Sequence, residues 1–226
     1  MPDPVEITDP ILGSPRSTKR ERTRAKLLAN AVALFRAKGV RETKLAEIAQ
    51  ASEVAPATLF NHFPSRADLA AGWLRGEIEA EATRAASAVR EGERGLRASV
   101  RSLCRNLARQ SSDAPGIRWS AWQEAPRLRP DPVAGLRDAF ALEQQREHVR
   151  ADQTPEALAE LLADAIEGGL VEGLHAAIET EESDPRACAR LISAPLQARV
   201  DLVLDGARKR NERVRPGALA ANRAEG

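Results

Sequence analysis

The chain has 226 residues, with 42% hydrophobic and 30% charged side chains, a balance typical of a globular protein. No run of about 18 apolar residues predicts a membrane span, and the N-terminal sequence lacks the basic start and apolar segment of a secretory signal. Two cysteines, Cys104 and Cys188, without CxxC spacing or histidine-rich neighbours, argue against a disulfide scaffold or a metal site. We therefore expect a cytoplasmic protein without membrane contact, bound metal or cofactor.

Positive charge is concentrated near the N-terminus, although the formal net charge of the chain is only +1. Residues 16–66 carry a net +7, whereas residues 1–15 and 67–226 carry −3 each. Lysine and arginine displace counterions from a DNA duplex, so a basic segment of this kind suits nucleic acid. The alternative is a basic surface that contacts only solvent. The residue pattern inside the segment distinguishes this alternative from a nucleic-acid-binding segment.

The chain is predicted to begin with a disordered arm and a single helix. Residues 1–17 contain four prolines and no helical periodicity, which predicts disorder. From about Arg20 to Lys38, apolar residues recur at helical spacing and predict a helix. Gly39 stands where a C-terminal cap is expected, and the Thr43 hydroxyl is placed to cap the next helix.

Residues 44–63, KLAEIAQASEVAPATLFNHF, predict two short helices joined by a tight turn. Pro56 suits the first turn of the second helix, and Pro64 ends that helix. Five apolar residues can close on one another as a small core: Leu45, Ile48, Ala49, Val54 and Leu59. This arrangement predicts a helix-turn-helix DNA-binding domain over residues 18–64, whose second helix enters the major groove.

Residues 65–209 predict a larger helical body, followed by a mobile tail over residues 210–226. Five helices are predicted in this body: Ser65 to about Arg90, Leu96 to Gln110, Val133 to Arg150, Thr154 to about Thr180, and Ser183 to about Lys209. A turn at Ser111 to Gly116 follows the second of these helices, and a segment with two tryptophans then runs from Ile117 to Glu124. Pro195 should kink or break the last helix. No alternating strand pattern is present, so the fold class is all-α: a three-helix helix-turn-helix head followed by a larger helical body.

A spaced set of about fifteen residues resembles the DNA-binding domain of the TetR family of transcriptional regulators. The matching positions are Leu34, Phe35, Gly39, Thr43, Ile48, Ala49, Val54, Thr58, Leu59, Phe60, Asn61, His62, Phe63, Arg66 and Leu69. The resemblance covers about 50 residues, and the body matches only in length and helical plan. It implies a homodimer, usually a repressor, whose body binds a small molecule and thereby weakens operator binding.

Four residues depart from the family pattern. The family often has glycine where Glu53 and Ala57 stand, a capping serine where Ala55 stands, and tyrosine where Phe60 stands. Loss of the serine removes about 0.5–2 kcal/mol of helix capping. Phe60 can pack as a tyrosine would but cannot donate a hydrogen bond to phosphate, so we expect fewer polar contacts with the DNA backbone.

Eight residues are the candidate DNA contacts, with a solvated surface side chain as the alternative for each: Lys44, Pro56, Ala57, Thr58, Phe60, Asn61, His62 and Arg66. Pro56 and Ala57 can meet thymine methyl groups, and Asn61 can pair with adenine or phosphate. The other polar members suit phosphate, although His62 is equally able to pack at the helix end. A flexible arm could add Arg16, Lys19, Arg20 and Arg22.

The last two helices are predicted to form a homodimer interface. Apolar or small residues recur along the first of them, at Leu158, Leu161, Leu162, Ala165, Ile166, Gly169, Leu170 and Gly173, and along the second, at Leu191, Ala198, Leu202 and Leu204. Two such helices from each subunit make an isologous four-helix interface. The alternative is that both helices bury these residues within their own subunit.

Candidate ligand contacts lie on the central helices: Trp73, Leu103, Cys104, Leu107, Trp119, Trp122, Phe140 and His148. They can line an apolar cavity with a few polar points, suited to a small, mostly apolar effector. Ordinary core packing is the alternative for each. Trp119 and Trp122 are the strongest candidates, because aromatic residues make up only 3% of the chain.

Two other classes of function are the alternatives to this reading. An enzyme finds little support, because the three histidines have no partner arranged for nucleophilic catalysis and no GxSxG, HExxH or phosphate-binding glycine loop is present. We expect no catalytic residues. A DNA-binding or architectural protein without an effector would share the same head, so only the body separates it from a ligand sensor.

Overall fold

The computed structural model describes residues 19–125 and 133–208, and within these ranges the chain is helical without strands. The helices are α1 (Lys19–Lys38), α2 (Leu45–Ala51), α3 (Pro56–His62), α4 (Arg66–Arg90), α5 (Leu96–Ser112), α6 (Pro115–Glu124), α7 (Val133–Gln145), α8 (Pro155–Glu179) and α9 (Pro185–Ala207). The all-α prediction is confirmed. The predicted disordered arm lies outside the described residues, as does the predicted tail. Among the described helices, none is both long and apolar enough to cross a membrane.

The head is a three-helix unit, α1 to α3, closed by the beginning of α4. Its buried core includes Leu27, Ala31, Phe35, Val40, Ile48, Ala49, Leu59, Phe63, Leu69 and Trp73. Leu45 and Val54 pack against this core while partly exposed. The predicted small core of the helix-turn-helix is therefore present, and α1 and α4 complete it.

In the turn between α1 and α2, the structure has the predicted glycine at the end of α1 but a different residue at the N-cap of α2. Gly39 has φ +98°, which suits a residue without a side chain, and its N–H donates to the Phe35 carbonyl oxygen at 2.9 Å. The predicted N-cap of α2, Thr43, is wrong: Lys44 occupies that position. Thr43 is buried, and its hydroxyl donates to the Gly39 carbonyl oxygen at 2.7 Å. Glu47 instead accepts from the Lys44 backbone N–H at 2.9 Å.

The turn between α2 and α3 places Glu53 in the left-handed region, with φ +53°. A residue with a side chain pays roughly 1–2 kcal/mol for this conformation, which explains why glycine is common here in the family that the sequence resembles. The Glu53 carboxylate lies 2.6 Å from Lys26 Nζ on α1. Both side chains are exposed, so this ion pair offsets only a small part of the cost.

The body is built around α8 and α9, which pack together along most of their length. Gly169 and Gly173 allow the close approach, since a Cβ on either would stand 2.5 Å from the α9 backbone. Most of the predicted dimer stripe therefore faces its own subunit: the buried members are Leu158, Leu162, Ile166, Gly169, Leu170, Gly173 and Leu204. Leu161, Ala165, Leu191, Ala198 and Leu202 remain at least partly exposed, and we call these five the outer face of α8 and α9.

Three predicted element limits differ from the structure. Helix α7 ends at Gln145 rather than Arg150, because Glu147 adopts φ +61° and turns the chain back. Helix α9 continues through Pro195 without a break, since α9 residues on both sides of it pack against α8. The turn before α6 is shorter than predicted, because Pro115 already occupies its first helical turn.

Candidate functional site

Helix α3 presents an exposed, largely apolar surface. Pro56, Ala57 and Asn61 are exposed, and Phe60 keeps 48% of its surface accessible. Leu59 is 1% exposed and anchors the opposite side of the helix in the head core. These orientations are those expected for a recognition helix whose first turn and outer side reach into the major groove.

The end of α3 is held by Arg24 of α1. Its guanidinium donates to the His62 carbonyl oxygen at 3.2 Å and stacks over the Phe63 ring, 4.2 Å from the centroid. His62 is partly buried, and this burial, together with the charges of Arg20 and Arg24, lowers the pKa of its imidazole. The neutral imidazole is therefore favoured at pH 7 in the free protein.

The start of α2 presents Lys44, whose side chain is exposed. Its neighbour Glu47 forms an ion pair with Lys38, and the hydrogen bond from Lys38 is the main reason that the pKa of Glu47 lies below its ordinary value. The positive charge of Lys38 is thus balanced by the carboxylate of Glu47 within the head. Lys19, Arg20 and Arg22 lie in the first turns of α1 instead of a flexible arm, and Arg16 falls outside the described residues.

Arg66 contacts the body in this structure, and its predicted contact with phosphate stays a prediction. Its Nη1 donates to the Arg41 carbonyl oxygen at 2.7 Å, and its Nη2 donates to Glu124 Oε2 of α6 at 3.2 Å. Arg41 Nε donates to the other carboxylate oxygen of Glu124 at 3.1 Å. Burial opposes ionisation of Glu124, but the hydrogen bonds from the two arginines outweigh it and lower the pKa of the carboxyl.

Trp73 lies at the junction of head and body, on α4. Its ring is 6.3 Å from that of Phe35 in the head core, and its Nε1 donates to Glu77 Oε1 at 2.8 Å. The Arg118 guanidinium of α6 lies over the indole, 5.1 Å from the centroid, and forms an ion pair with Glu77. Trp73 therefore contacts both the head core and Arg118 of α6.

The other candidate ligand contacts are distributed over the body. Four of them, Leu103, Cys104, Leu107 and Phe140, are fully buried in its hydrophobic core. Trp119 and Trp122 of α6 are partly buried, and Trp122 packs against both the head core and the body core. His148 is exposed in a separate groove of about 640 Å³ between α5 and the end of α9. An effector role for these residues stays a prediction.

Two histidines have carboxylate partners that were not among the predictions from the sequence. His148 Nδ1 lies 3.0 Å from Glu143 Oε2, because the turn after α7 brings His148 back toward the helix. His175 Nδ1 lies 3.3 Å from Glu179 Oε2, one turn along α8. Both imidazoles are more than half exposed, but Glu143 is buried whereas Glu179 is exposed, so only the pair of His175 and Glu179 lies wholly at the surface.

A buried polar network between α4, α5 and α6 was missed by the sequence analysis. Glu81 is 2% exposed and accepts hydrogen bonds from Asn106 at 2.9 Å and Gln110 at 2.8 Å. Arg118 is 4% exposed and donates to the Gln110 carbonyl oxygen at 3.2 Å. No sequence signal indicated this network, because charged and amide side chains ordinarily lie at the surface.

Known proteins match the sequence of this chain in the head and the beginning of α4. Residues 27–72 match the family model described as bacterial regulatory proteins, tetR family. The HTH-type transcriptional regulator TcmR of Streptomyces glaucescens is 44% identical over 55 residues, which is 24% of each protein, so the match spans about a quarter of that relative.

Solved structures match over most of the chain. FadR of Thermus thermophilus, a TetR-family repressor in complex with lauroyl-CoA, superposes with a TM-score of 0.60 at 19% identity, over 86% of this chain and 100% of that one. A regulator from Mesorhizobium loti assigned to the same family gives 0.50 at 17% identity, over 82% and 98%. At these identities the likeness establishes the fold alone.

Proposed function

We propose that this chain is a sequence-specific transcriptional regulator of the tetR family, because residues 27–72 match the model of that family of bacterial regulatory proteins. In this proposal it acts in the cytoplasm as a homodimeric repressor, and a small, mostly apolar effector releases it from its operator. The observation that carries the proposal is the exposed surface of α3 on a head whose residues 16–66 have a net charge of +7. TcmR, which matches this chain over 55 residues, is itself a transcriptional regulator.

Recognition of the operator would combine apolar and polar contacts. Pro56, Ala57 and Phe60 offer only apolar atoms from their side chains, which suits the methyl group of thymine in the major groove. Asn61 supplies an amide that pairs with adenine through one donor and one acceptor. Lys44 and Thr58 are proposed to bind phosphate and position the head without reading sequence.

The dimer is proposed to form through the outer face of α8 and α9. Leu202 is 75% exposed and Leu161 is 54% exposed, which is unusual for two large apolar side chains of helices that otherwise bury theirs. A two-fold axis through this face would create an isologous four-helix interface. It would also present two copies of α3, which must lie about 34–36 Å apart to enter successive major grooves.

The effector is proposed to act in the body near α6. Trp119 and Trp122 are partly buried there, and the structural relative FadR binds an acyl-CoA, whose acyl chain is apolar. Trp122 also contacts the head core. Because a ligand shifts an equilibrium only through different affinities for two states, an effector favouring a displaced α6 would weaken operator binding.

Selection of DNA from a random duplex pool by the full-length protein tests this function. We expect enrichment of a two-fold symmetric sequence with half-sites about one helical turn apart. Ala57→Glu, which places a negative charge on the exposed side of α3, should abolish enrichment, whereas Ala134→Glu on the exposed surface of α7 should not. Absence of any enriched sequence with the unmodified protein would refute the proposal.

Response to effectors needs a separate test. A thermal-shift screen of apolar and acyl compounds should find one that raises the Tm and releases the selected DNA. If no compound in a broad panel does so, the protein is better described as a DNA-binding regulator or architectural protein without an effector.

A further inference from the structure

The Glu124 carboxylate connects the body to the head through two arginines. Glu124 is the last residue of α6, and its two oxygens lie 3.1 Å from Arg41 Nε and 3.2 Å from Arg66 Nη2. The Glu124 side chain is only 21% exposed, so solvent screens this contact less than an ordinary surface ion pair.

Both arginines are close in the chain to residues that are proposed to contact DNA. Arg41 lies in the turn before α2, three residues from Lys44, and Arg66 opens α4, five residues after Asn61. The hydrogen bond from Arg66 Nη1 to the Arg41 carbonyl oxygen holds the two residues together at 2.7 Å. The two guanidinium groups therefore form one cationic site, which Glu124 now occupies.

A phosphate group presents the same chemistry to this site as a carboxylate does. Guanidinium groups bind both anions through paired N–H donors. Arg66 also has a buried Nε without a hydrogen-bond partner in the described structure, so its contact with Glu124 leaves one donor unsatisfied. An unsatisfied buried donor costs free energy that a rotation toward a more exposed anion would recover.

On the premise of the proposed function, we propose that Glu124 is an internal competitor of DNA. It occupies Arg41 and Arg66 and withholds them from two backbone phosphates. The body thereby lowers the affinity of the head for all DNA sequences alike. The position of α6, which Arg118 also ties to Glu77 of α4, sets how strongly the competitor acts.

The test measures the affinity of full-length Glu124→Gln for the selected operator duplex over a range of salt concentrations. The substitution removes the charge and keeps a hydrogen-bonding side chain of the same size. Each phosphate neutralised by the protein adds about 0.9 to the magnitude of the slope of log K against log salt. The proposed homodimer carries two heads, so the release of one or two arginines per head neutralises two to four more phosphates. We expect a slope steeper by about 1.8–3.6 and an affinity about three- to tenfold higher at low salt.

Two comparisons separate competition from a general effect of charge or folding. Glu156→Gln removes the same charge from an exposed position at the start of α8 and should leave the slope unchanged. Glu124→Asp keeps the charge on a shorter side chain, so the slope of its log K against log salt should fall between the slopes of the unmodified protein and of Glu124→Gln. In a protein that already carries Arg41→Gln and Arg66→Gln, adding Glu124→Gln should increase neither the affinity for the operator nor the salt slope.

An unchanged slope, or weaker binding by a Glu124→Gln protein whose Tm is preserved, would overturn the inference, because Glu124 would then only align the arginines. If Glu124→Gln proves poorly folded, a Glu124→Asp slope equal to that of the unmodified protein overturns it in the same way. These results leave the proposed function intact, since the unmodified protein still binds its operator. If the unmodified protein selects no DNA, the proposed function and this inference fall together.

Discussion

Gly173 of α8 lies so close to Ile192 of α9 that a Cβ on Gly173 would stand 2.5 Å from the Ile192 Cα. Gly169 has the same relation to Leu196 one turn away. A glycine inside a helix costs about 1 kcal/mol relative to alanine, and the close contact of two long helices offsets that cost. The glycines therefore set the spacing of the helix pair that supports the outer face.

Replacement of Gly173 by alanine should destabilise the protein. The new methyl group meets backbone atoms, which cannot rotate away, so α8 and α9 must separate at a net cost of about 1–3 kcal/mol. Denaturant unfolding at a fixed protein concentration measures this change. Gly76→Ala is the matched control: no heavy atom lies within 4 Å of its added Cβ, and it should gain about 0.5–1 kcal/mol. A Gly173→Ala protein as stable as the unmodified one would refute the close-packing argument.

Substitution of Leu202 by glutamate should produce monomers. This side chain is 75% exposed on the outer face, and in the proposed dimer a charge there would be buried without a partner. Sedimentation equilibrium should show an increase of at least tenfold in the dimer dissociation constant. Phe60→Glu, which charges another exposed apolar residue outside this face, should leave the dimer unaffected. Equal dissociation constants for Leu202→Glu and the unmodified protein would rule out this interface.

Local signals made much of the fold predictable from the sequence. Thr154 and Asp184 cap α8 and α9 by accepting from backbone N–H groups three residues later, at 3.2 and 2.8 Å, and each is followed by proline. The apolar periodicity likewise predicted the head core. Such signals involve residues within four positions of each other, so one sequence is enough to detect them.

The contacts of the candidate site depend on distant residues and were not predictable in the same way. Arg66 donates to Glu124, a partner 58 residues away that no local sequence pattern indicates. Arg118 and Glu81 have the character of surface residues in the sequence, yet both are buried. Their burial depends on how α4, α5 and α6 pack, which one sequence does not reveal.

The two thiols should be unreactive in the folded protein. Cys104 is fully buried, and burial raises its pKa to about 12, while burial also raises the pKa of Cys188. Because the thiolate is the reactive form, an aromatic disulfide reagent at pH 8 should label neither residue in minutes. Two thiols per chain should react in denaturant. Fast labelling of the native protein would contradict the burial of both side chains.

Asp201 of α9 should stabilise the body in a pH-dependent manner. A hydrogen bond from Arg101, outweighing the effect of burial, lowers the pKa of its carboxyl, and Arg97 contributes as well. Since the folded-state pKa is the lower one, this stabilisation is complete above the ordinary carboxyl pKa and is lost as the pH falls through the folded-state value.

At pH 7, Asp201→Asn should therefore lower the free energy of unfolding by roughly 1 kcal/mol, with allowance for solvent screening. The difference should be constant from pH 7 to about pH 5 and shrink at lower pH. Unfolding curves between pH 3 and 7 measure it. Asp138→Asn, at a more exposed carboxylate on α7, should have little effect. A difference that grows as the pH falls would contradict the assigned direction of the pKa shift.

The central claim is that α3 reads an operator through Asn61 on a head held in place by Lys44. The most direct test measures the affinities of the unmodified protein, Asn61→Ala and Lys44→Ala for the selected operator and for each of its single-base variants. Asn61→Ala should lose discrimination, by about 1–3 kcal/mol, at one position of each half-site, whereas Lys44→Ala should weaken every sequence to the same degree. Identical discrimination profiles for the Asn61→Ala and unmodified proteins would contradict this reading of α3.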